Sequence, residues 1–165
     1  ILLGLVGSEM CIRDRDGPIK TISDLKGKKV GFSVGGFEEA LLSGMLQKYN
    51  LNMSDVDLVN INFSLSPSLI AKKVDAVIGA FRNFELNQMD IVNHPGRAFY
   101  PEEHGVPTYE ELIYIANQKN KNNPLFDKFF SAIQKATLTI INDPISTWKD
   151  FSSFRKGLDL SLIHI

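Results

Sequence analysis

Cysteine is almost absent from this sequence, and its one cysteine, Cys11, lies near the amino terminus. A single thiol excludes an internal disulfide and a metal site built from several cysteines. No stretch approaches the roughly 18 consecutive apolar residues of a membrane-spanning helix. The 18 Lys and Arg residues almost balance the 19 Asp and Glu residues, so attraction to nucleic acid or to an anionic membrane surface is not predicted.

Several motifs that carry catalysis are missing as well. The sequence contains no H-E-x-x-H, no G-x-G-x-x-G and no phosphate loop with Gly-Lys-Ser/Thr. His104 lies close to Glu102 and Glu103, but their spacing supplies no third metal ligand, and the two acids are expected to lie in a solvated loop. We therefore predict no catalytic residue, no metal and no cofactor.

The two ends of the chain can be encoded by inverted copies of one DNA element. One codon choice for L-S-L-I-H-I at residues 160–165 is CTG TCT CTT ATA CAC ATC. Its reverse complement, read in a shifted frame, encodes M-C-I-R-D at residues 10–14. The element resembles the transposase end sequence that is ligated to fragments in sequencing libraries. We expect residues 1–15 and 160–165 to be foreign and leave both out of the fold prediction.

Strand and helix patterns alternate through the middle of the chain. Short apolar runs rich in β-branched residues predict buried strands, and the stretches between them have helical spacing. The predicted strands cover residues 30–33, 56–61, 74–79, 97–100 and 112–117, and the helices about 37–49, 68–73 and 85–92. Ser66 and Pro67 are expected to cap the second helix. This alternation predicts a parallel α/β sheet.

The last third of the chain is predicted to be helical. Asn123 and Pro124 begin one long helix with apolar residues at core spacing, and Asp143 and Pro144 begin another. Their aromatic residues are expected to pack into a core, in part against a domain that this sequence lacks.

Two stretches directly after predicted strands could hold a small ligand. Ligands of open α/β sheets sit beyond the carboxyl ends of the strands. Near the first strand, glycines allow close approach of a ligand, and a helix start suits anions, although the two following acids disfavour a phosphate. The second stretch offers an aromatic face, an amide and a carboxylate. The candidates are Gly35, Gly36, Phe37 and Glu38 in the first stretch and Phe81, Asn83 and Glu85 in the second. The alternatives are an ordinary strand–helix turn and a solvated helix start.

Several stretches resemble known proteins. D-L-K-G-K-K-V-G at residues 24–31 and V-D-A-V-I-G at residues 74–79 resemble the second lobe of periplasmic solute-binding proteins of ABC importers. More narrowly, F-E-E-A at residues 37–40, G-A-F-R-N-F-E at residues 79–85 and H-G-V-P-T-Y-E-E-L at residues 104–112 resemble the group that binds thiamine pyrimidine precursors.

The resemblance implies a lobe of the type II periplasmic-binding-protein-like fold, with a parallel-rich sheet flanked by helices. Residues 16–117 would form the second lobe, and residues 118–159 would be helices belonging to an incomplete first lobe. Phe81 would stack on the pyrimidine, and Glu85 would pair with its amino and ring-nitrogen edge, either as a carboxylate or as the protonated acid. Tyr109, in the last of the similar stretches, joins the candidate binding residues.

The function implied is the substrate-binding component of an ABC importer for a thiamine pyrimidine precursor of the hydroxymethyl- or formylaminopyrimidine type, without catalysis. Its partners would be that ligand and a membrane permease, and it would act as a monomer in the periplasm or as an extracytoplasmic lipoprotein. One alternative is the fungal pyrimidine synthase of the same fold, whose cysteine-rich run has no counterpart at residues 106–109. Another is a binder of a sulfonate, nitrate or riboflavin.

Overall fold

The computed structural model describes residues 5–6, 9–82 and 84–154. It divides into two compact units, Ile1–Leu112 and Ile113–Ile165. The candidate Asn83 and the carboxyl-terminal segment predicted to be foreign lie outside the described residues.

A mixed sheet of five strands forms the centre of the first unit. Its strands are β2 (Glu9–Asp14), β3 (Lys29–Phe32), β4 (Asp57–Asn60), β5 (Ala76–Phe81) and β6 (Gly96–Phe99). They lie in the order β4-β3-β5-β2-β6. β3 is parallel to both β4 and β5, whereas β2 runs antiparallel to its neighbours β5 and β6. All the strands except β2 therefore run in one direction, and the prediction of a parallel-rich α/β sheet is confirmed.

Strand β2 lies between β5 and β6, where the sequence predicts no strand because the fold prediction leaves out residues 1–15. The side chains of Cys11, Ile12 and Arg13 are fully buried. Successive side chains of a strand face opposite sides of the sheet, and Cys11 and Ile12 accordingly belong to different core clusters. An apolar segment can complete a sheet whatever the origin of its codons, so the foreign origin of these residues stays a prediction.

The burial of Cys11 predicts an unreactive thiol. Burial raises its pKa from 9.0 to about 12, although the nearby charge of Arg13 acts in the opposite direction. At a given pH below both values, this shift lowers the thiolate fraction about a thousandfold, and the thiolate is the reactive form. We expect a thiol reagent to label the native chain only as fast as it unfolds, and to label it at once in denaturant. Rapid labelling without denaturant would show that β2 is not held in the sheet.

Helices cover both faces of the sheet. They are α1 (Phe37–Gln47), α2 (Leu65–Ile70) and α3 (Glu85–Ile91). One core cluster packs α1 against the sheet through Leu42 and Met45, and the other gathers Leu69 of α2 and Met89 of α3. These two layers of helix enclose the central strands, which explains why their sequences are apolar without alternation.

The start of α2 differs from the prediction. The helix follows Ser64 and begins at Leu65, so Ser66 and Pro67 lie inside its first turn rather than before it. The first backbone N–H groups of a helix have no partner within the helix, and a proline there therefore breaks no hydrogen bond.

The second unit contains the two predicted helices, α4 (Leu125–Asn142) and α5 (Pro144–Ser153). The Asn123 side chain accepts a hydrogen bond from the Leu125 N–H at 2.9 Å, and the Asp143 side chain accepts one from the Ser146 N–H at 3.0 Å. These side chains satisfy free donors at the helix starts, which is why the polar residues before the apolar runs mark them correctly. Within the described ranges, no helix is both long enough and apolar enough to cross a bilayer.

The predicted strand at residues 112–117 is wrong for most of its length. Strand β7 covers Glu110–Leu112 and pairs with β1 (Leu5–Val6), and no strand is assigned from Ile113 to Asn117. Ile115 is 87% exposed. An apolar run becomes a strand only where a neighbouring strand supplies its hydrogen bonds, and the sequence pattern cannot show whether that neighbour is present.

Candidate functional site

The two candidate stretches lie at the same edge of the sheet. β3 and β5 are adjacent and parallel, with Val30 opposite Ala76 and Gly31 opposite Val77. The chain therefore leaves both strands at one edge, into the β3–α1 loop (residues 33–36) and into the β5–α3 turn, of which Arg82 and Phe84 are described. This shared edge agrees with the prediction from strand position, while ligand binding at this edge stays a prediction.

Glu38 lies beneath the β3–α1 loop. Its side chain is 1% exposed, and its carboxylate accepts hydrogen bonds from the Ser33 N–H at 2.7 Å and from the Ser33 hydroxyl at 2.6 Å. The next acid, Glu39, accepts the Gly36 N–H at 2.9 Å. Two carboxylates in the first turn of α1 thus fasten the loop to the helix, at the helix end where the dipole favours negative charge.

Gly79 makes room for the Glu38 carboxylate. Its φ of +88° lies in the left-handed region, and a Cβ at this position would collide with the Glu38 carboxyl group. This contact joins β5 to the start of α1 directly. A glycine is therefore required for two reasons, its backbone conformation and the close approach of a side chain.

Glu85 is a second buried acid at this edge. It is the first residue of α3 and is 5% exposed, and its carboxylate accepts the Phe81 N–H at 2.6 Å. Burial raises the pKa of Glu85 above its ordinary 4.5, and the N–H groups of Phe81 and of Glu85 itself oppose this only in part. The site therefore holds a carboxyl group that is easier to protonate than one in water.

Three phenylalanines near these acids in the sequence are partly exposed. Phe37, Phe81 and Phe84 have 41%, 36% and 39% of their surface accessible. The rings of Phe37 and Tyr109 meet edge to face, with centroids 5.8 Å apart and an interplanar angle of 76°. The structure thus brings the candidate Tyr109 to the candidate Phe37, far apart in the chain, and the exposed rings offer flat apolar surface near the carboxyl edge.

Arg82 has a role that the sequence did not reveal. One nitrogen of its guanidinium group lies 2.7 Å from each carboxylate oxygen of Glu102, and the group lies over the Tyr100 ring at 4.5 Å from its centroid. Glu102, expected in a solvated loop, therefore ties the β5–α3 turn to the turn at Pro101–His104. No signal could have found this pair, since partners so far apart in sequence follow no periodicity.

His104 has partners within the fold. Its Nδ1 lies 2.8 Å from the Tyr49 hydroxyl, and its ring meets Phe99 edge to face at 5.6 Å. Burial lowers the pKa of His104, and the charge of Lys48 acts in the same direction, although Glu103 opposes both. No group of three or more His, Cys, Asp or Glu side chains in the described part of the chain could hold a metal ion.

The fold is periplasmic-binding-protein-like. The periplasmic aliphatic sulphonate binding protein SsuA from Escherichia coli matches with a TM-score of 0.67, covering 87% of this chain and 48% of that one at 18% identity. The alkanesulfonate-binding protein SsuA from Xanthomonas axonopodis pv. citri, bound to MOPS, matches with a TM-score of 0.66, covering 96% and 55% at 18% identity. At this identity the likeness establishes the fold alone.

The chain belongs to the family described as NMT1/THI5 like, which matches residues 8–147. A Haemophilus influenzae protein assigned to thiamine biosynthesis is 50% identical over 83% of this chain and 44% of its own length. The formylaminopyrimidine-binding protein of Halalkalibacterium halodurans is 28% identical over 80% and 39%. A 4-amino-5-hydroxymethyl-2-methylpyrimidine phosphate synthase of Saccharomyces cerevisiae is 26% identical over 88% and 46%. The chain thus spans less than half the length of these relatives.

Proposed function

We propose that this chain contains the second lobe of a solute-binding protein of an ABC importer, and that its ligand is an aminopyrimidine precursor of thiamine. The observation that carries the proposal is the buried carboxyl group of Glu85 at the carboxyl edge of the sheet, where it accepts the backbone N–H of Phe81, a residue whose ring is partly exposed. The formylaminopyrimidine-binding relative supports the choice of ligand.

The chemistry of the two side chains suits such a ligand. A pyrimidine ring is flat and can stack on Phe81, which loses little conformational freedom when it is covered. The amino group of the ligand can donate to the Glu85 carboxylate, with charge assistance if the ring nitrogen is protonated. Because burial raises the pKa of Glu85, the protonated acid can also donate to a neutral ring nitrogen.

The remaining features of the proposal rest on the likeness of the fold to solute-binding proteins. Residues 16–117 would form the second lobe of the solute-binding protein, and residues 118–159 would be helices that belong to the first. The protein would work in the periplasm or as an extracytoplasmic lipoprotein and deliver its ligand to a membrane permease for thiamine salvage.

An enzyme is the second candidate, because relatives that match a similar share of this chain are named phosphate synthases. The two functions differ in one measurable property, since a binding protein releases its pyrimidine unchanged. Any turnover of a pyrimidine precursor by the complete protein would favour the synthase.

Amide-resolved NMR titration of the chain tests the ligand. We expect hydroxymethylpyrimidine to shift the amides of Phe81 and Phe84 in a saturable way, with a Kd on the order of millimolar, because one lobe supplies only part of the contacts. A micromolar site that loses about 4 kcal/mol of contacts becomes millimolar. Phe81→Ala should weaken the response about tenfold, whereas Phe154→Ala, which also removes an exposed ring, should leave it unchanged. A response to riboflavin or methanesulfonate without one to the pyrimidine would contradict the ligand assignment.

A further inference from the structure

We propose that Glu38 and Glu39 are specificity-determining residues that exclude anionic ligands from the β3–α1 loop, so that the ligand presents no phosphate or sulfonate group there. This inference rests on the proposed function, since it specifies the ligand class of the same site. It begins from a general property of such loops: a glycine-containing strand–helix connection has free N–H groups and a positive helix end, which together favour an anion.

In this chain three donors of that loop already have acidic partners. The Ser33 N–H and hydroxyl both donate to Glu38, at 2.7 and 2.6 Å, and the Gly36 N–H donates to Glu39 at 2.9 Å. An incoming phosphate or sulfonate would have to displace a carboxylate from these donors. It would also lie beside that carboxylate afterwards, because both acids belong to the first turn of α1.

Burial makes the exclusion stronger. Glu38 is 1% exposed, and the absence of a side chain at Gly79 lets its carboxylate sit against strand β5. Charges that are removed from water repel each other more strongly and are screened less by salt. Burial and the two hydrogen bonds from Ser33 hold the Glu38 carboxyl group at the loop, so a side-chain rotation cannot easily remove it.

The neighbouring cation does not offset this charge. Arg82, on the β5–α3 turn at the same edge, is paired with both oxygens of Glu102 at 2.7 Å. Its charge is thus already compensated by a different acid. The edge favours a neutral or cationic group, such as an aminopyrimidine, and disfavours its phosphate ester.

Titration of the whole chain with simple anions tests the exclusion. The probes are inorganic phosphate and methanesulfonate at low ionic strength, read from the amides of Ser33, Gly35 and Gly36. For the wild type we expect no saturable shift. For Glu39→Gln, which keeps an acceptor for the Gly36 N–H and removes the charge, we expect at least about a tenfold gain in phosphate affinity.

Two further variants complete the test. Glu38→Gln should also gain phosphate affinity. Because Glu38 is buried, the folding of the Glu38→Gln variant is checked by circular dichroism. If this variant does not fold, the result for Glu39→Gln decides the outcome. Glu103→Gln, an exposed acid near the opposite end of α1, is the matched control and should behave like the wild type.

The outcomes separate this inference from the proposed function. Saturable phosphate binding by the wild type, or no gain in Glu39→Gln, would overturn the exclusion. A gain of phosphate binding in Glu39→Gln together with no response of any variant to hydroxymethylpyrimidine would support the exclusion and refute the pyrimidine assignment.

Discussion

Gly79→Ala is expected to destabilise the chain by about 2–6 kcal/mol. The substitution places a Cβ on a residue whose φ is +88° and drives it into the Glu38 carboxyl group. The backbone strain costs about 1–3 kcal/mol, and forcing an atom into packed surroundings costs typically 1–3 kcal/mol more. Displacing Glu38 would also release the β3–α1 loop, so urea unfolding and the amide spectrum of that loop should change together.

Gly27→Ala is the matched control for this prediction. Gly27 also has a positive φ, +71°, but a Cβ there would meet nothing within 4 Å. Its cost should therefore be the backbone strain alone, the same about 1–3 kcal/mol without the contribution of a collision. Equal losses of unfolding free energy in the two variants would show that the contact between Gly79 and Glu38 does not matter.

Glu85→Gln is expected to stabilise the chain at neutral pH and to weaken ligand binding. Because burial raises the pKa of Glu85 above 4.5, the folded chain retains a proton that the unfolded chain releases. The stability that the protonated Glu85 contributes is therefore fully present below pH 4.5 and is lost as the pH rises through the pKa of Glu85 in the folded chain. Glutamine has no charge to bury and can still accept a hydrogen bond from the Phe81 N–H. The unfolding free energy of the Glu85→Gln variant should therefore not show this decrease with rising pH.

The measurement is urea unfolding of both proteins across mildly acidic to neutral pH. Their stability difference should grow in favour of Glu85→Gln as the pH rises, whereas Asp150→Asn, a substitution of an exposed acid in α5, should follow the wild type. Hydroxymethylpyrimidine affinity of Glu85→Gln should fall about tenfold to a hundredfold, the equivalent of about 1.5–3 kcal/mol for a charge-assisted hydrogen bond. Parallel stability curves would contradict the burial argument, and unchanged affinity would remove Glu85 from the site.

These opposed effects are expected of a binding residue. A carboxyl group whose pKa is raised by burial lowers stability at neutral pH, and ligand binding would explain its place at this edge. The same reasoning does not apply to Glu38, whose carboxylate is satisfied within the loop.

Local features of the chain were predictable because local chemistry determines them. Asn123 and Asp143 predict the starts of helices α4 and α5, since a side-chain oxygen beside the first turn accepts a hydrogen bond from a free N–H group wherever the helix lies in the fold. The apolar run before Phe81 predicts a buried strand, and strand direction alone then places the β3–α1 loop and the β5–α3 turn at one edge. The sequence by itself therefore determined the fold class and the position of the candidate site.

Only the tertiary structure decided how those side chains are used. Strand β2 lies between β5 and β6, and β7 ends at Leu112. Arg82 pairs with Glu102, the Glu38 carboxyl group packs against Gly79, and Glu85 accepts the backbone N–H of Phe81. Sequence patterns report periodicity over a few turns or pleats. A contact between residues far apart in the chain depends on packing, and packing decides which acid supports a loop and which remains for a ligand.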